Sequence, residues 1–288
     1  MQVLQIIPKF LHKHKIVEIV CKLKLHTNPN KTKFNSKSLA FIDLLDPEPR
    51  NVFIKGTFDI DFFNIAKAFL PTKGVFCDLG ANHGLCTFGL LPEHSSVDFH
   101  MFEANESLVE IIKMSTTLHP KSSFVVNHAC VSDKFGHSIF HLESSQTGQS
   151  HVATNEERGI EVENIVMDHY CSEKKISKVD FAKIDLEGHE LSALKGWECY
   201  LTSHSIRSIY IEIMPENQNR YNLNTNAPLL FLESLGYELY LCKKEDFAPF
   251  GKKTKKYEFE FGKLILSKFN AQDFPEDFST DVLALAPN

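Results

Sequence analysis

No apolar run in this 288-residue chain approaches the roughly 20 residues that cross a membrane, so no spanning helix is expected. Cysteine is sparse and unpatterned: Cys21, Cys77, Cys86, Cys130, Cys171, Cys199 and Cys242 are odd in number and include no Cys-x-x-Cys pair. That argues against a disulfide framework and for a reducing, cytoplasmic setting in which a buried thiol is a small hydrophobe. A signal peptide is not expected either, because Pro8-Lys9 and His12-Lys-His-Lys15 interrupt every apolar stretch at the start. Apart from His189, taken up below, the histidines form no His-x-x-x-His pair on an expected helix beside an acid and read as ordinary polar residues. There is no internal repeat and no linker that divides the chain after residue 51. Acidic residues outnumber basic ones, 37 against 31, and the net charge of -6 argues mildly against nucleic acid as a partner.

What basic charge there is collects at one end. Eight lysines stand between Lys9 and Lys37, against Glu18 alone. Residues 1–50 therefore read as a basic, helical N-terminal extension, and 51–288 as one domain. Within 2–25, Leu4, Ile7, Leu11, Ile16, Ile19, Val20 and Leu23 recur at about helical spacing. Two readings stay open here: an amphipathic helix making peripheral membrane contact through residues 1–25, or a surface helix with its lysines in water. The second is the norm for amphipathic helices.

From Phe53 onward apolar strand patterns alternate with helical ones. Strands are expected near 75–79, 97–102, 124–126, 179–184, 206–213 and 237–242. Helices are expected near 61–70, after Gly84, from Asn105 to about 118, from His189 to about 201, and over 227–235. Residues 137–167 alternate around a Ser/Gln/Gly-rich middle, which predicts a hairpin or flap. The basic run Lys252 to Lys256 reads as a solvated loop, and residues 281–286 as a short strand closing the sheet edge. Such alternation calls for a mostly parallel sheet covered on both faces.

Two constellations carry chemistry. Asp78-Leu-Gly-Ala-Asn-His-Gly84 follows the first regular strand and opens a helix, a geometry that sets backbone N–H groups against a nucleotide-like ligand. Gly80 and Gly84 admit close approach, and Asn82 tolerates a left-handed turn. Glu103 ends the second strand, where a carboxylate can accept from both hydroxyls of a ribose. The pattern departs from the dinucleotide fingerprint, with Asn82 in place of the second glycine. Asp78 would also repel a pyrophosphate but welcome an ammonium. An amino acid joined to a nucleoside, as in S-adenosylmethionine (SAM), fits better. Further on, the buried-strand pattern Val179-Asp-Phe-Ala-Lys-Ile184 breaks into Asp185, Glu187, His189 and Glu190. Such groups are costly at a sheet edge unless they bind something.

In order and spacing, Asp78-Leu-Gly-Ala-Asn-His-Gly84, Phe102-Glu-Ala-Asn105, Ala129-Cys-Val-Ser-Asp133 and Lys183-Ile-Asp-Leu-Glu-Gly-His-Glu190 resemble the FkbM-type SAM-dependent methyltransferases. The resemblance covers roughly residues 56–214, and Gly56-Thr-Phe-Asp59 is similar to that family's upstream Gly-x-x-Glu, with Asp replacing Glu. It implies an α/β, Rossmann-like SAM-dependent methyltransferase fold over 51–288, with a mostly parallel seven-stranded sheet and helices on both faces. It implies SAM as cofactor, with Asp78, Gly80, Asn82 and Gly84 at the methionine end, Glu103 on the ribose and Asn127 facing the adenine. It implies methyl transfer to a hydroxyl oxygen, and since the acidic chain without a basic, aromatic-lined groove disfavours nucleic acid, a sugar, glycan or small metabolite is the expected acceptor.

Such a transfer is an in-line displacement at a sulfonium methyl group, in which alignment supplies much of the rate. A neutral alcohol also needs a base for its proton. The candidates are Asp185, Glu187, His189 and Glu212. His189 has the best ordinary pKa near neutrality, and Asp185 the best position, at the end of the fourth strand. Glu187 and His189 also read as caps of the following helix, and Lys183 as a neutraliser of the acidic cluster. Asp185 and Glu212 offer oxygen ligands suited to Mg²⁺, although nothing in the sequence requires a metal. Two rivals stand beside this reading. An NAD(P)-dependent oxidoreductase is weakened by the missing glycine and the lack of a Ser-Tyr-Lys set. A catalytically inactive methyltransferase-like binding protein predicts loss of Asp78, Glu103 or Asp185, and all three are present.

Overall fold

The computed structural model describes residues 28–287 apart from 145, 155–156, 244–254 and 259–263, together with 16–17, 19–20 and 23. Most of residues 1–25, the span of the membrane-contact reading, lies outside the described residues. Where a helical extension is expected, Asn30–Phe34 (β1) and Ser38–Ile42 (β2) form an antiparallel hairpin. The cause is local: Asn30, Thr32 and Phe34 are buried while Lys31 and Lys33 are exposed, the two-residue period of a strand. Helix Pro47–Lys55 (α1), capped by Asp46 and opened by a proline, runs across the expected boundary at residue 50. Helix Ile60–Phe69 (α2) is capped by Asp59, the residue that departs from the family's upstream Glu.

The alternating region follows. Val75–Leu79 (β3), Leu85–His94 (α3), Asp98–Glu103 (β4), Glu106–Thr116 (α4) and Ser123–His128 (β5) come first. Cys130–Val131 (β6), His137–His141 (β7), His151–Val152 (β8) and Ile160–Ile165 (β9) then build a separate four-stranded sheet, the expected flap region. Met167–Glu173 (α5) leads to Phe181–Ile184 (β10). The helix expected from His189 to about 201 is two, Glu190–Lys195 (α6) and Glu198–Thr202 (α7). Ser208–Ile213 (β11), Pro215–Arg220 (α8), Ala227–Ser234 (α9) and Glu238–Leu241 (β12) precede Lys255–Glu258 (β13), Ile265–Phe269 (β14) and Thr280–Leu285 (β15).

The main sheet has the order β13-β14-β12-β15-β11-β10-β3-β4-β5. The five strands from β11 to β5 are parallel. The expected seven strands run from β12 to β5, and β14 and β13 extend them to nine among the described residues. Two readings of the C-terminal region are corrected. The last strand, β15, does not close an edge: it lies antiparallel between β11 and β12, where Val282, Leu283 and Ala284 are fully buried. Lys255 and Lys256, the end of the supposed solvated loop, pair with β14.

The sheet divides two cores. On one face α1, α2, α3, α4 and the hairpin pack an aromatic layer in which Phe62 meets Tyr210 edge-on at 5.4 Å and Phe76 stacks on Phe181 at 6.0 Å. On the other, α5, α6, α7 and α9 bury Met167, Leu194, Trp197, Leu201 and Leu232. No described helix is long and apolar enough to cross a membrane.

Candidate active site

Five parallel strands bring their carboxyl ends to one edge of the sheet, the place where ligands bind in open α/β sheets. A cavity of about 500 Å³ opens there. Its walls include Asp78, Gly80, Asn82, Glu103, Asp185, Glu187, His189 and Glu212, so eight of the ten expected site residues meet in one place. Gly84 and Asn127 do not line it.

Asp78 stands near the end of β3, beside Lys183 in register on β10, and is 1% exposed. Thr87 donates its hydroxyl to one carboxylate oxygen at 2.7 Å. The other oxygen, Oδ1, is buried without a partner among the described residues. Burial pushes this carboxyl's pKa up and the Lys183 ammonium opposes the shift. An unpartnered buried acid on a cavity wall fits a cationic ligand group.

The turn beyond Asp78 is shaped by its backbone. Gly80 has φ 80°, and a Cβ there would lie 1.8 Å from the Asp185 carbonyl oxygen, so only glycine lets the two loops meet. Gly84 (φ 71°) precedes α3, where a Cβ would strike the Phe88 ring at 2.6 Å. Its part is therefore in packing rather than on the wall. Asn82 adopts φ 50° and donates its N–H to Glu103 Oε2 at 2.7 Å.

Glu103 is held from two sides, since Oε1 accepts from Asn105 N–H at 2.8 Å. Burial raises its pKa to about 7 despite those bonds. Its four lone pairs face three backbone donors, Asn82, Asn105 and Ala104, so acceptor capacity remains for a ribose hydroxyl. Asn127 is different: its amide donates to the Met101 carbonyl at 3.0 Å and the Tyr170 hydroxyl at 3.3 Å. With its donors engaged inside the fold it does not face the cavity, and Ala129, Cys130 and Val131 form that wall instead.

The opposite wall is acidic. Lys183 Nζ donates to Asp185 Oδ2 at 2.6 Å. Burial alone would lower the Lys183 pKa, but Asp185, Cys86 and Asp78 outweigh it and push it well up. Glu212 hydrogen-bonds Asp185, and that carboxylate, then burial, then Asp281 across from it on β15, raise its pKa to about 10. Glu187, in a left-handed conformation, accepts from Asn217 Nδ2 at 2.8 Å and is raised to about 8, by burial first and Asp185 second. One oxygen from each of Asp185, Glu187 and Glu212 lies within 4.8 Å of the others, a set that could hold a divalent cation.

His189 takes the cap position of α6 but makes no capping bond. Its Nε2 lies 3.5 Å from Ser132 Oγ, and burial lowers its pKa to about 4, so it is neutral at pH 7 and a weak base. Neither its side chain nor that of Glu187 satisfies the N–H groups of the loop. Glu190 does, accepting from the N–H groups of Leu186 (2.9 Å) and Gly188 (3.0 Å) and from Gln218 Nε2 (2.6 Å). Sequence reasoning also passed over His83, whose Nδ1 meets Asn82 Oδ1 at 2.6 Å while its buried Nε2 has no partner among the described residues. Its place inside the glycine turn was the available signal. Glu48 on α1 and residues 146–152 also line the cavity, and no motif marks them.

Comparison with curated protein sequences finds no match. Solved structures of similar fold include the precorrin-6y C5,15-methyltransferase from Geobacter metallireducens GS-15, at 9% identity and TM-score 0.42, covering 80% of this chain and 88% of that one. An rRNA methylase from Streptococcus thermophilus aligns at 10% identity and TM-score 0.39, over 79% and 93% of the two chains. TrmK from M. capricolum, in complex with S-adenosyl-homocysteine (SAH), aligns at 12% identity and TM-score 0.35, over 73% and 67%. At these identities the likeness is one of fold. It nonetheless corrects the expectation of no nucleic-acid partner. An rRNA methylase is among the similar folds, and the net charge behind that expectation describes the whole chain rather than the cavity. The family description Methyltransferase FkbM domain matches residues 78–239, more than half of the chain, and the protein belongs to that family.

Proposed function

We propose that the protein transfers the methyl group of SAM to a hydroxyl oxygen of a sugar, glycan or small metabolite. The observation that carries this reading is the pairing of two acids on the cavity wall, Asp78 with an unpartnered oxygen and Glu103 fixed by backbone N–H groups with acceptor capacity left over. Asp78 would take the ammonium of the cofactor and Glu103 its ribose hydroxyls, with Gly80, Asn82 and Gly84 shaping the turn between. When bound, SAM supplies a methyl group on a positively charged sulfur, which suits a cavity rich in carboxylates.

Asp185 takes the acceptor's proton in this reading. It is ion-paired with Lys183, whereas Glu212 and Glu187 hold protons near neutrality and can donate hydrogen bonds that orient the hydroxyl. His189 serves as a neutral wall residue rather than the base. A divalent ion at Asp185, Glu187 and Glu212 is compatible with the spacing and is not required by it. The unpaired thiols Cys77, Cys86, Cys130 and Cys171 support a cytoplasmic setting.

Methyl-labelled SAM offered with a panel of sugars, hydroxylated metabolites and RNA tests the proposal. Label should enter an oxygen of the acceptor, and Asp185→Asn should cut turnover about a hundredfold or more while SAM still binds. Transfer to nitrogen alone, or normal turnover in Asp185→Asn, contradicts it.

A further inference from the structure

We propose that Asp46 is a positioning residue that latches the segment 146–152 over the cofactor end of the cavity, so that the segment must lift before a ligand can leave. The inference rests on the reading of the cavity as a SAM site. All seven residues from Gln146 to Val152 line the cavity. Their C-terminal end is held in the small sheet, where His151 and Val152 pair with β7, and Ser150 Oγ accepts from Glu143 N–H at 3.0 Å. Thr147 is held by Asp46, and the carbonyl of Val152 accepts from the Tyr221 hydroxyl at 2.6 Å.

Asp46 divides its carboxylate between two tasks. Oδ1 accepts from Glu48 N–H at 3.1 Å and so caps α1. Oδ2 accepts from Thr147 N–H at 3.1 Å and from the Thr147 hydroxyl. At 5% exposure these charge-assisted bonds are shielded from water. The first turn of α1 and the segment are therefore tied through one side chain, from a part of the chain outside residues 78–239.

The latch sits over the glycine turn. Residues 147–149 form a single 3₁₀ turn, closed by Gln149 N–H to Gln146 O at 3.0 Å and Ser150 N–H to Thr147 O at 3.1 Å. The Thr147 hydroxyl lies 3.5 Å from Asn82 Oδ1. A Cβ on Gly148 would come within 3.1 Å of Glu48 Oε2 and 3.2 Å of Asn82 Nδ2. The turn thus fills the gap between α1 and Asn82, on the side where the amino-acid end of SAM would lie, rather than standing only over the acceptor.

Two variants separate the latch from the helix cap. Asp46→Ser keeps a capping hydroxyl but removes the second oxygen. Thr147→Val leaves Asp46 untouched. Two measurements on the full chain follow: hydrogen exchange of residues 146–152 without ligand, and the SAH dissociation rate by stopped flow. Each variant should speed exchange of the segment and raise SAH dissociation about tenfold, the scale of one charged hydrogen bond. The double variant should be no faster than the faster single one, and the melting temperature should stay near wild type. Unchanged exchange overturns the latch. Faster exchange with SAH dissociation within about twofold of wild type overturns the gate. Failure of the wild type to bind SAH overturns the cofactor reading and the gate with it, and the ligand-free exchange tells that failure apart from a failed latch.

Discussion

Glu103 links the chemistry of the site to the stability of the fold. Its pKa is raised by burial from 4.5 to about 7, so the folded protein holds this proton more tightly than the unfolded chain does. The stabilisation is fully present below the ordinary value and is lost as pH rises through the folded one. The ligand-free protein should therefore melt at falling temperature between pH 5 and 8. Glu103→Gln should make that slope shallower, and an unchanged slope would show that Glu103 titrates elsewhere. Asp78 and Glu103 were legible in the sequence because each closes a strand at a fixed distance from a glycine turn. Asn127 was not, since hydrogen bonds to Met101 and Tyr170, remote in sequence, decide where its amide points.

Among the elements, the loop between β10 and α6 sets an acid that serves structure beside acids to which the proposal assigns chemistry. Glu190 is 2% exposed and accepts three hydrogen bonds. Glu190→Ala would leave the N–H groups of Leu186 and Gly188 and the Gln218 amide without this partner, and should cost about 2–4 kcal/mol in urea denaturation. A loss below about 1 kcal/mol would contradict that role. The sequence run Lys183 to Glu190 marked the loop but not the division of labour inside it, because four neighbouring ionisable residues look alike until their partners are known. Helix boundaries were legible where a cap is local, as at Asn105 for α4. The split between α6 and α7 was not. It falls at Gly196, where a Cβ would lie 2.1 Å from the Ser132 carbonyl oxygen, a contact made across the fold.

At the scale of the whole molecule, alternating strand and helix patterns were enough to call a mostly parallel sheet with two covered faces. Strand order was beyond their reach at the C-terminal side. β15 pairs with β11 and β12, and pairing between distant segments leaves no periodic trace in either one. The same holds for the place of Glu48 on the cavity wall and the reach of Asp46 to Thr147, which depend on how the N-terminal hairpin and α1 dock on the sheet. In the proposed reading, the sheet edge, the glycine turn and the two acidic walls together form a receptor for a positively charged nucleoside-linked amino acid. Calorimetric titration with SAM, on the wild type and on Glu103→Ala, tests that claim most directly. Saturable binding to the wild type, weakened at least about tenfold in a folded Glu103→Ala variant, is the expected result. A folded wild type that fails to bind SAM, or a Glu103→Ala variant that binds it equally well, would contradict it.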